Sequence, residues 1–157
     1  MIRVLPLVAT AALLAACGPE SKPSPPQDTE VAPPAKPVDE TRRFPVTDQV
    51  STQVVGNHIL NKPFMPGGTL AHYKKGNTEY DMFVAQFPTA TDAAIALANL
   101  EGALKDPKLI PTFGGYFGAD AGRPAFVFPK DKWLAGVIGL PQAEADAAAR
   151  VLATRLN

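Results

Sequence analysis

Residues able to do chemistry are few in this chain. Two histidines, His58 and His72, stand fourteen residues apart, in neither H-x-x-x-H nor H-x-H spacing. A metal site built on them would need a carboxylate brought from elsewhere in the chain. The serines after residue 17 are Ser21, Ser24 and Ser51. Ser51 sits in Val50-Ser51-Thr52, which is not the glycine-flanked turn that exposes a serine nucleophile. A triad would have to recruit Ser51, one histidine and a distant carboxylate. Glu79 and Asp81 stand two apart in a strand-like run, so both point to one face. Paired acids of that kind serve glycoside chemistry. Their alternation with Tyr80 and Met82 fits a solvated strand face equally well. The expectation is therefore no catalytic residue, no metal and no cofactor.

Two other features could serve recognition. Gly114-Gly115-Tyr116-Phe117-Gly118 is dense in glycine, but a turn and a strand follow it rather than a helix. It also lacks the lysine and hydroxyl of a phosphate-binding loop. A bent strand with close backbone contact is the expectation there. Tyr116 and Phe117 on that glycine hinge form a possible binding surface, together with Trp133, Arg123 and Lys130. Trp133 either closes one end of the core or presents a flat face to a ligand.

The elements that must hold these residues follow from patterning. Thr69 to Lys74 and Thr78 to Phe87 read as strands around the turn Lys75-Gly76-Asn77. Met82, Phe83 and Val84 are apolar on both faces, which places the second strand centrally. Thr89 caps a helix with Asp92, and Ala93, Ala96, Leu97, Leu100 and Leu104 form its apolar stripe. Asp106-Pro107 is read as its stop. Strands follow at Gly114–Ala119, Ala125–Phe128 and Trp133–Gly139, then a helix from Pro141 to about Arg155. Between Phe44 and Met65 the valines fit a helix (Val46, Val50, Val54) or a strand (Val50, Thr52, Val54). The expected fold is α+β: an antiparallel sheet of about five strands with two helices packed on one face.

Composition divides the chain of 157 residues into three segments. Residues 1–16 carry one charge, Arg3, before an apolar run, Val4 to Ala16, too short for the roughly 20 residues that span a bilayer. Residues 18–43 hold seven prolines, nine charged residues and no aromatic. That composition predicts a disordered, polyproline-biased tether beginning at Cys17. Residues 44–157 hold all twelve aromatics and form the compact domain. Fifteen basic and fifteen acidic side chains cancel, which argues against nucleic acid as a partner. A single cysteine excludes a disulfide framework.

Leu14-Ala15-Ala16-Cys17 resembles the lipobox of bacterial lipoproteins, and the resemblance covers about the first twenty residues. It implies cleavage after Ala16 and a diacylglyceryl group on the Cys17 thiol. Acyl chains hold a protein on a membrane, at ~0.8 kcal/mol per buried methylene. Gly18, in place of the aspartate that often marks inner-membrane retention in this family, implies the outer membrane with the domain facing the periplasm. The expected partners are the membrane, through the lipid, and an envelope protein or cell-wall component. The expected function is a non-catalytic binding or scaffolding domain that assists an envelope assembly. The alternatives are an envelope hydrolase with dispersed carboxylates and a carrier of a small apolar ligand.

Overall fold

A computed structural model describes residues 38–157. Cys17, the lipobox and the expected tether up to residue 37 lie outside the described residues. Seven strands form one antiparallel sheet in the order β1-β2-β3-β7-β6-β5-β4. They are β1 Gln49–Asn57, β2 Pro66–Lys75, β3 Thr78–Gln86, β4 Lys105–Ile110, β5 Gly115–Asp120, β6 Arg123–Lys130 and β7 Trp133–Ile138. Helix α1, Ala90–Ala103, follows β3, and α2, Gln142–Ala153, follows β7. The fold is thus α+β with two helices, but the sheet has seven strands rather than about five.

Both additional strands are edges. The Val50-Thr52-Val54 pattern is β1, and the helical alternative there is wrong. Beyond α1 the chain does not simply stop at Asp106-Pro107. Leu104 turns to extended backbone, and β4 begins at the next residue. An edge strand tolerates Pro107 because one side of it needs no partner. A bulge between Lys105 and Lys108 absorbs the irregularity.

The helices cover opposite faces, which corrects the expectation of one. Ala93, Ala96, Leu97 and Leu100 of α1 pack with Phe83, Ala85, Ala125, Val127, Leu134 and Ile138. Ala145, Ala149 and Leu152 of α2 pack with Met82, Val84, Phe126, Phe128, Ala135 and Val137. These strand residues alternate in sequence, as two faces of one sheet require. All six residues of β7 are consequently buried. A strand covered on both faces reads as a continuous apolar run, and Ala125-Phe126-Val127-Phe128 of β6 carries the same signal. Gly136 makes the two-sided packing possible: a Cβ there would collide with the Phe126 carbonyl and the Phe83 ring.

Local signals account for the helix starts. Thr89 accepts from the Asp92 amide at 3.1 Å and donates to its carboxylate at 2.7 Å, tying the first turn of α1. Pro141, expected at the first helical position, stands instead at the N-cap of α2, and the helix begins at Gln142.

The folded unit starts earlier than residue 44. Glu40 is buried, its amide donates to Thr69 Oγ1 at 3.0 Å, and its carboxylate accepts from Arg43 Nε at 2.6 Å. Arg43 Nη1 donates to the Arg155 carbonyl at 2.7 Å. Glu40 and Arg43, assigned from composition to the tether, are therefore packed, while Arg42 between them is exposed. Glu40 pairs within the stretch, and Arg43 ties the stretch to the domain, which composition does not reveal.

Candidate functional site

The turn at Gly76-Asn77 sets the register of the β2–β3 hairpin, with Lys75 opposite Thr78. Gly76 supplies the left-handed conformation that the turn needs, at φ 60°. Counting back from that turn puts Lys74 opposite Glu79 and His72 opposite Asp81. All four lie on the face that α1 covers further along. Beyond the end of that cover, the β1–β2 register places Ser51 opposite His72. Ser51, His72 and Asp81 thus form one row across three adjacent strands.

Asp81 is the centre of this row. Its Oδ1 lies 2.8 Å from His72 Nδ1, and its Oδ2 accepts from Arg123 Nη1 at 2.6 Å. The carboxylate can only accept, so Nδ1 of His72 carries the proton and Nε2 is left as the acceptor of the neutral ring. Nε2 lies 3.9 Å from Glu79 Oε2. The imidazole therefore leans toward β3 rather than toward Ser51. Lys74 Nζ pairs with Glu79 Oε1 at 3.0 Å. That hydrogen bond and charge hold the Glu79 carboxyl below its ordinary value.

Arg123 reaches Asp81 from β6, across the end of β7. Gly139 clears its path, since a Cβ there would stand 2.8 Å from Arg123 Nη2. Its backbone, at φ 105°, also favours glycine.

Beside this cluster runs an open groove of about 510 Å³. Leu70, Asp81 and Ile138 contribute to its lining, together with His58–Lys62 and, at the β5–β6 turn, Asp120, Ala121 and Arg123. Ile59 and Met65 anchor the first wall in the core, and His58 N donates to the Met65 carbonyl at 3.1 Å. The anchored loop is tightly wound. His58, Leu60 and Asn61 all have left-handed backbone, with φ 53°, 62° and 56°. Such residues cost on the order of 1–3 kcal/mol each and persist where surroundings impose them. Lys62 closes the wall by pairing with Asp120 at 2.7 Å.

The expected binding surface does not assemble. Tyr116 lies on the α1 face and Phe117 packs on the α2 face, because successive strand residues point oppositely. Arg123 and Lys130 sit at opposite ends of β6, about 23 Å apart at strand rise. Lys130 is exposed beside Asp131, at 3.8 Å. Trp133 is 2% exposed and closes the core. Only Arg123 of that set belongs to the groove. The glycine cluster is structural, as expected: a Cβ on Gly115 would strike the Val127 carbonyl, and Gly114 has φ 62°.

Sequence reasoning placed Glu79 and Asp81 on one face but did not join His72 to them. The two-residue turn at Gly76-Asn77 carried that signal, since turn length fixes which residues oppose one another. Ser51 and Arg123 come from other strands, and nothing local points to their arrival.

Among the described residues, no group of three His, Cys, Asp or Glu side chains is placed to hold a metal ion, and no helix is long and apolar enough to cross a membrane. No protein-family model matches the chain, and neither a curated protein nor a solved structure matches it.

Proposed function

We propose that the chain is a lipid-anchored envelope protein whose folded domain binds a partner without catalysis. Cys17 carries the anchor, and the domain faces the periplasm from the outer membrane. The groove beside Arg123 is the recognition surface, in place of the dispersed set expected from sequence. Its partner is an envelope protein or a cell-wall component. One observation carries this reading: both groove carboxylates are engaged. Asp81 is held by His72 and Arg123, and Asp120 by Lys62. Carboxylate oxygens already committed to such pairs are poorly placed to deliver or collect protons. The exposed parts of Arg123 and Lys74 offer hydrogen-bond donors at the surface, and His72 Nε2 offers an acceptor.

Fractionation of the bacterial envelope tests the anchor. Cys17→Ser is expected to move the domain from the membrane to the soluble periplasm. Retention on the membrane would remove the lipid from this reading. Co-sedimentation with isolated cell-wall sacculi, and partner capture from solubilised envelope, test recognition. Arg123→Ala is expected to weaken retention, whereas Ala98→Ser, on the exposed side of α1, leaves it unchanged.

A second reading, an envelope hydrolase, has the Ser51-His72-Asp81 row in its favour. Asp81 on Nδ1 holds His72 as the triad carboxylate holds the general-base histidine of serine hydrolases. A serine-directed phosphonylating probe decides the matter: labelling at Ser51 that His72→Ala abolishes would replace the binding reading with catalysis.

A further inference from the structure

A seven-stranded open sheet has two edges, and the two are built differently. At the β4 edge stand Lys105, Asp106, Pro107 and Lys108, with a bulge between the lysines. Charge, a missing N–H and a broken ladder all discourage another strand from adding there. The β1 edge carries a bulge between Gln49 and Ser51, but its ladder runs without a further shift from Ser51 to Asn57, and neither charge nor proline guards it. Gln49–Asn57 is nine residues long and contains no charged residue and no proline. Val50 and Val54 are 60% and 41% exposed, and Val46 just before the strand is 80% exposed. The hydrogen bond from His58 N to the Met65 carbonyl sets the alternation of the β1–β2 ladder. The N–H and C=O groups of Ser51, Gln53 and Val55 therefore point away from β2, with no strand beyond them among the described residues.

We propose that two copies of this chain pair through β1, antiparallel about a two-fold axis at Gln53, so that their sheets become continuous. The strand is complementary to itself in that register. Ser51 stands opposite Val55, Thr52 opposite Val54, and Gln53 opposite its own copy. No like charges meet across the axis, and the Thr–Val pairs set β-branched side chains against each other. The two Gln53 amides can hydrogen-bond to one another. Pairing β1 of one copy with β4 of the next would build an open chain of molecules, and the guards on β4 prevent it. The association therefore closes at two copies.

Sedimentation of the full chain, in detergent that covers apolar residues Val4–Ala16, tests the proposal. A particle of twice the chain mass is expected. Gln53→Lys sets two positive charges against each other at the axis and is expected to halve that mass, with the circular dichroism spectrum of the fold unchanged. In a Cys17→Ser background, Gln53→Cys is expected to cross-link under mild oxidation. Paired Cα atoms about 5.5 Å apart lie within disulfide range. Ser51→Cys alone is expected not to cross-link, because equivalent residues would lie about 13 Å apart. A monomer at every concentration overturns the proposal. So does a dimer that survives Gln53→Lys, or one that cross-links through Ser51→Cys but not through Gln53→Cys.

Discussion

The guanidinium of Arg43 lies 4.3 Å above the Trp133 ring while its Nε donates to Glu40 at 2.6 Å. One side chain thus joins the start of the folded unit to the tryptophan that begins β7. Both members of the ion pair are largely buried, with side chains 13% and 8% exposed. Arg43→Ala leaves the Glu40 carboxylate without its main partner and bares the ring. We expect a loss on the order of 2–4 kcal/mol. Denaturant unfolding measures it, and an unchanged midpoint would show that residues 40–43 do not support the domain. Arg43→Lys should recover only part of the loss, because an ammonium cannot both stack and fork.

Leu100 of α1 is 1% exposed, whereas Ala98 on the same helix is exposed. Leu100→Ala is expected to cost about 2–5 kcal/mol through lost transfer free energy and a residual cavity. Ala98→Ser should cost only a few tenths of a kcal/mol, near the difference in helix propensity. Similar melting temperatures for the two variants would contradict the packing of α1 on the sheet.

Two glycines make opposite predictions. Gly136 lies between the Phe83 ring and the Phe126 carbonyl, so Gly136→Ala overpacks the core and should cost roughly 1–3 kcal/mol or more. Gly102 lies within α1 with open space where its Cβ would go. Gly102→Ala should stabilise by about 0.5–1 kcal/mol, because alanine loses less backbone freedom on entering a helix. Calorimetry on both variants checks the signs.

The Lys74–Glu79 pair makes a pH prediction. Lys74 holds the Glu79 carboxyl below its ordinary value of 4.5. A carboxyl depressed in the folded state adds stability above its unfolded pKa, and that contribution fades as pH falls through the folded value. Lys74→Met should raise the Glu79 titration toward 4.5 and flatten the acid side of the stability profile below that pH. Side-chain NMR titration reads the shift directly. No movement of Glu79 in the variant would mean that the pair does not form in solution.

What the sequence determined by itself was local. The Thr89–Asp92 cap, the Gly76-Asn77 turn and the stripe from Ala93 to Leu104 are each decided within a few residues. Short-range hydrogen bonds and backbone preferences act there whatever surrounds them. The apolar run in β3 also showed that this strand lies centrally. Tertiary structure alone decided what depends on partners distant in the chain. It put α1 and α2 on opposite faces, because a strand apolar on both sides needs two covers without specifying which helix supplies each. It made an edge strand of Lys105–Ile110, where a local reading saw only a helix stop. It buried Glu40 under Arg43 in a stretch whose composition reads as solvated. It also brought Arg123 across Gly139 to Asp81, and Ser51 into line with His72. Register carries these meetings between strands, and register is a property of the whole sheet: each strand's side chains are assigned only when its neighbours are in place.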